Sequence, residues 1–197
     1  MIAYHLFLIL LLVLSCLFQQ FIPPIAPWSD ARILLVPLVV LCASVTVPPS
    51  GMLILAFLGG FLWDAQQAVV LSYGDSAVYR EIPDSLGFGT SIILYGLMGL
   101  LMQGIRPLFQ RGGWFASALL TGVAVFFYRW IEFLTLSFIR GGFSFHDDIL
   151  RQILITSSLT MILAPLVFSM LFKVARICRY TITFDALKRR SRRPSVA

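Results

Sequence analysis

Four ionisable residues stand inside, or at the mouth of, long apolar runs: Asp64, Arg129, Glu132 and Arg151. Arg129 and Glu132 are three residues apart, a spacing that brings two side chains together on one helix face. An acid and a base so placed serve either as a buried pair that fixes helix register or as a site for a partner or ligand. Asp147-Asp148, beside His146, would suit metal-assisted phosphate chemistry, but no second acidic motif accompanies them. Acids at the start of a helix complement its macrodipole, and that is the better reading. His5 and His146 each lack a neighbouring His/Glu or Cys cluster. Cys16, Cys42 and Cys178 lie far apart in apolar surroundings, so no metal-ligand spacing appears. Gly87-Phe88-Gly89 lacks the later Gly and Lys of a phosphate-binding loop. The expectation is a protein with no catalytic apparatus, no cofactor and no metal.

The composition says what must position these residues. Of 197 residues, 59% are hydrophobic and 12% charged. A soluble domain carries about 25% charged residues, and so few charges could not cover so much apolar side chain in water. A membrane span takes about 20 mostly apolar residues, so the chain has room for six or seven spans and no large soluble domain. Val13-Leu14-Ser15-Cys16 has some likeness to a lipoprotein cleavage site, but Met1 to Leu12 contains no Lys or Arg. A signal peptide begins with a basic region, so this stretch reads as a retained first helix.

Six spans are expected: Ile2 to Ile22, Ala31 to Val47, Gly51 to Leu71, Leu86 to Ile105, Trp114 to Ile139, and Ile149 to about Val174. Pro37 lies inside the second and can kink it. The fold class is therefore all-α, a polytopic six-helix membrane domain over residues 1–180 followed by a basic cytoplasmic tail over 181–197. From Lys173 onward eight basic residues face one acid, Asp185. Basic residues beside a span mark the cytoplasmic side, which puts both termini inside. Arg106 and Arg111 then also fall inside, while the acidic loops at Asp30, at Asp75 to Asp84 and at His146 to Asp148 fall outside. Lys188, Arg189, Arg190, Arg192 and Arg193 are expected to lie on anionic lipid. Nucleic acid is not expected, because the basic run abuts an apolar helix.

This topology brings Asp64, Arg129, Glu132 and Arg151 to one depth in the outer leaflet, where a charge costs about 2.5–3.5 kcal/mol on insertion scales. Arg129 is expected to pair with Glu132 or with Asp64. Thr121, Tyr128, Glu132 and Thr135 form a polar stripe that should face the bundle. Ala56, Gly60 and Asp64 share one helix face, and small residues at such spacing admit a close helix neighbour. Gly96 and Gly99 make a second small face, and Gly87 and Gly89 are grouped with them as helix-packing residues.

The order of these features resembles MreD, the small membrane protein of the bacterial rod-shape system. A Gly-rich helix precedes an acid in Gly59-Gly60-Phe61-Leu62-Trp63-Asp64, and a Leu-Gly pair opens the next helix in Leu86-Gly87-Phe88-Gly89. Trp130-Ile131-Glu132-Phe133 resembles the family's aromatic-acidic segment. Ala164-Pro165-Leu166 and Phe172-Lys173-Val174-Ala175-Arg176 resemble its last helix and basic end. The resemblance covers roughly residues 31–177, and it departs from the family between Ser72 and Ser85, where the connection is longer and charged. It implies a non-catalytic scaffold in the inner membrane, working with an MreC-like single-span protein and, through it, with MreB, RodA and a class B penicillin-binding protein in side-wall peptidoglycan synthesis. It also implies a fold similar to the substrate-binding membrane subunits of energy-coupling-factor vitamin transporters. That kinship leaves a solute-binding subunit as the alternative function.

Overall fold

A computed structural model describes residues 2–28, 31–72, 87–106, 114–140 and 147–180. Among the described residues the chain is all-helical: α1 (Ile2–Phe21), α2 (Leu35–Thr46), α3 (Pro49–Ser72), α4 (Thr90–Gly104), α5 (Trp114–Arg140) and α6 (Asp147–Ile177). A single 3-10 turn, Ala26–Trp28, follows α1, closed by the isolated bridge between Ile25 and Ala31. Among the described residues three helices are long and apolar enough to cross a membrane: α1, α5 over Ser117–Ile139, and α6 over Asp148–Ile177. Large apolar side chains stand on the outside of the bundle, with Ile93 of α4, Phe138 of α5 and Ile162 of α6 each at least 70% exposed.

Two of the expected spans are shorter than the sequence implies. The second begins at Leu35, because residues 32–34 are not helical, and its 12 residues rise only about 18 Å. The fourth begins at Thr90, because Gly87-Phe88-Gly89 forms a turn in which Gly89 takes φ +96°. Pro37 does not kink α2. It stands in the first helical turn, where its missing N–H has no partner to lose. Pro165 does sit inside α6, and the helix continues through it.

The short α2 is the centre of the bundle. Every residue from Val36 to Val47 is buried, and α1, α3, α4, α5 and α6 all pack around it. A helix that is apolar all round belongs in such a place. Its ends are satisfied by neighbours. At the N-terminus the Gln19 amide of α1 donates to Ile33 O (2.7 Å) and accepts from Leu35 N–H (2.6 Å). The N–H groups of Arg32 and Leu34 reach the hydroxyls of Thr156 and Thr160 on α6. At the C-terminus Gln103 of α4 donates to Ser44 O and Val47 O. Buried backbone groups must be paired, and here three helices lend side chains to do it.

Around α2, α3 pairs with α4 and α5 with α6. A Cβ on Gly60 would lie 2.5 Å from the Ile92 backbone, and one on Gly122 would meet Met161 at 2.8 Å. Both pairs therefore depend on glycine for their closeness. The two ends of the described chain share one end of the bundle. Tyr4 donates to Thr46 Oγ1 at 2.9 Å, and its ring stacks on Tyr180 at 4.5 Å. Tyr180 reaches that position through a turn in which Arg179 adopts φ +49° and Tyr180 N–H bonds Ala175 O at 2.8 Å. This is the left-handed helix stop that glycine more often supplies.

Candidate functional site: a polar cluster beside a cavity

The cluster is built on the close α3–α4 contact. Without a side chain at Gly60, the N-terminus of α4 comes within reach of Asp64, one turn further along α3. The Asp64 carboxylate, itself buried, accepts a hydrogen bond from Gly89 N–H at 2.7 Å. Gly89 is the N-cap of α4 and has no side chain with which to cap itself. The acid of a neighbouring helix fills the role. A negative charge at a helix N-terminus gains about 0.3–1 kcal/mol when exposed and up to about 2 when partly buried.

Arg129 and Glu132 stand on one turn of α5 and form an ion pair through Arg129 Nη1 and Glu132 Oε2. Of the two acids proposed for Arg129, Glu132 is the partner, and Asp64 is engaged by α4 instead. Glu132 is buried, while the Arg129 side chain keeps 26% of its surface accessible. Between Asp64 and this pair lie Tyr95 of α4 and Tyr128 of α5, both fully buried, with ring centres 5.3 Å apart and planes tilted by 39°. Both hydroxyls are buried and, among the described residues, neither makes a hydrogen bond. Three acidic and basic groups and two phenols thus form one continuous polar cluster where α3, α4 and α5 meet.

Arg151 is not part of it. It is exposed, one residue before Gln152, and Gln152 and Thr156 take the inward positions. One residue is about 100° of helix, enough to turn a side chain from the bundle to its outside. The polar stripe on α5 is buried at Thr121, Tyr128 and Glu132, while Thr135 is half-buried and donates to Ile131 O. The small residues divide. Ala56 and Gly60 are buried, Gly60 against α4, and Gly99 packs against Met52 and Ser44. A Cβ on Gly96 would meet nothing within 4 Å, and Gly87 and Gly89 belong to the turn before α4 rather than to a helix contact. Lys188, Arg189, Arg190, Arg192 and Arg193, and the charged loop from Asp75 to Asp84, lie outside the described residues.

Beside the cluster is a cavity of about 1280 Å³. It opens between α1 and α3 on one side and α5 and α6 on the other, and the non-helical run before α2 forms part of its wall. Arg129 and Glu132 line it, together with Arg32, Trp63, Gln20 and Gln67. Trp63 Nε1–H and Arg129 Nε–H are buried donors with no acceptor among the described residues. Also among the described residues, no three of His, Cys, Asp or Glu come together as a metal would need. No family model, curated protein or solved structure matches the chain.

Sequence reasoning missed Gln19, Gln103, Thr156, Thr160 and Tyr95. The signal was present: a glutamine within an apolar helix is costly unless bonded. What the glutamines bond to depends on the path of α2, which no local pattern reveals.

Proposed function

We propose that the chain is a six-span membrane scaffold of the MreD type, with both termini cytoplasmic. On this reading it binds the single membrane helix of an MreC-like partner and, through that partner, helps direct side-wall peptidoglycan synthesis by MreB, RodA and a class B penicillin-binding protein. The observation that carries the reading is the contact between Asp64 and Gly89. Two of the segments that carry the resemblance, the Gly-rich stretch ending at Asp64 and the Leu-Gly stretch ending at Gly89, meet in one hydrogen bond between residues 25 apart in sequence. The short α2 and α4 fit a membrane setting because every end of α2 is bonded within the bundle, and irregular backbone at membrane depth is tolerated only where protein or a water-filled cavity surrounds it. The basic tail, on this topology, rests on anionic lipid of the inner leaflet. Repressing the gene in its own cells tests the role. Rods that round up, with side-wall labelling by a fluorescent D-amino acid losing its pattern, support it. Rods of unchanged shape and labelling overturn it.

The cavity favours a second reading, a solute-binding membrane subunit with the fold of energy-coupling-factor components. Intramembrane charges beside a cavity are functional by default, and apolar walls with a few convergent polar groups describe a ligand site. Retention of a small solute through purification, together with an ATPase module, supports this reading against the first.

A further inference from the structure

We propose that the cavity receives an anionic group, a carboxylate or phosphate, held by Arg129 and Arg32. The inference deepens the solute-binding reading and is independent of the scaffold reading, which its failure would leave standing. Its first ground is shape. The opening is about 1280 Å³, larger than the roughly 300–1,000 Å³ of ordinary ligand pockets. It lies beside the non-helical residues that precede α2, with Arg32 and Leu34 in its wall. Its second ground is charge. Among the described residues two guanidinium groups and one carboxylate line the space, and Glu132 pairs with Arg129. Arg32 is exposed and, among the described residues, has no ion pair, so their lining charge is positive by one. Arginine presents a planar fork of donors suited to two-oxygen anions.

The remaining polar side chains around the space are partly committed: Glu132 to Arg129, Gln19 to the backbone around α2, and the Gln66 Nε2–H to Cys16 O at 2.7 Å. Gln20 and Gln67, which also line the space, would bond neutral parts of the same molecule. A soluble anion and the phosphate of a lipid head group offer the same chemistry.

The test uses the full chain in phosphatidylcholine nanodiscs, titrated with inorganic phosphate and with succinate while thermal unfolding is followed. Phosphatidylglycerol is then titrated into the discs. The expected result is a saturable rise in melting temperature with an anion and none with glycerol. Arg32→Gln, an exposed position, should leave the unliganded melting temperature unchanged and weaken binding by about tenfold or more, as loss of a charge-assisted bond does. The double variant Arg129→Gln/Glu132→Gln, which strands no charge, should abolish it. Saturation by soluble anions identifies a solute site, and saturation by phosphatidylglycerol alone identifies a lipid head-group site; either supports the proposal. No shift with any of the three, or equal affinity in Arg32→Gln and in the double variant, overturns it.

Discussion

The Asp64 carboxylate of α3 caps α4 from outside, accepting from Gly89 N–H at 2.7 Å. Asp64 thereby has a structural duty separate from that of Arg129 and Glu132. Replacing it should loosen the start of α4. Asp64→Leu should cost about 1–2 kcal/mol, the scale of a lost cap, and Asp64→Asn, which keeps an acceptor, should cost less. Gly89→Ala places a side chain at φ +96° and should cost about 1–2 kcal/mol for the left-handed backbone. Unfolding of the purified protein in detergent, followed by circular dichroism, measures all three. Equal stability of Asp64→Leu and the parent would remove the cap.

The ion pair makes a sharper prediction. Removing one member of a buried pair costs about 3–5 kcal/mol, because the other charge is stranded. Arg129→Leu and Glu132→Leu should each lower the amount of protein in the membrane. The double replacement should recover most of it. A double variant as poor as the sum of its parts would mean that the two charges do not serve each other.

The small residues predict a contrast. Gly60 lies against the backbone of Ile92, whereas a side chain on Gly96 would meet nothing within 4 Å. Gly60→Leu should therefore prevent α3 and α4 from closing and deplete the protein. Gly96→Leu should leave protein levels unchanged, so any loss of a partner in that variant reflects binding rather than folding. Immunoblots of membrane fractions separate the two cases. Normal levels of Gly60→Leu would refute the packing assigned to it.

Much of this was legible in the sequence, and the exceptions have common causes. The long helices announce themselves, because α1, α5 and α6 need only an unbroken apolar run. The spacing of Arg129 and Glu132 made Glu132 one of two candidate partners, and the choice between it and Asp64 came only with the fold, which engages Asp64 at Gly89. The start of α2 was not legible. Ala31 to Val47 is one apolar run, yet its first residues are not helical, and Gln19, Thr156 and Thr160 supply hydrogen bonds that a helix would otherwise make. Those partners lie on α1 and α6, and only the folded arrangement brings them together. Arg151 was misplaced for the converse reason: depth in the bundle follows from position along a helix, but facing does not. The cavity could not be read from residue types at all, since its lining comes from α1, α3, α5, α6 and the run before α2, which only the fold brings together.

The topology is tested by reporters. A fusion after Ala197 should be active only in a form that works in the cytoplasm, as the run of basic residues near the last helix demands. Fusions in the loop between α3 and α4 should be active only outside. The shared position of Tyr4 and Tyr180 at one end of the bundle adds a constraint, because both termini must give the same answer. Opposite locations for the two termini would break the six-span reading.

The scaffold reading stands or falls on what the protein holds in its native membrane. Tagged chain should be crosslinked in intact cells, purified in mild detergent, and its partners identified by mass spectrometry. The account predicts recovery of a single-span, MreC-like protein in near-stoichiometric amount from the parent, with reduced recovery from Gly96→Leu if the partner helix uses that open face. Recovery of an ATPase module and a bound solute, with no single-span partner, would contradict it.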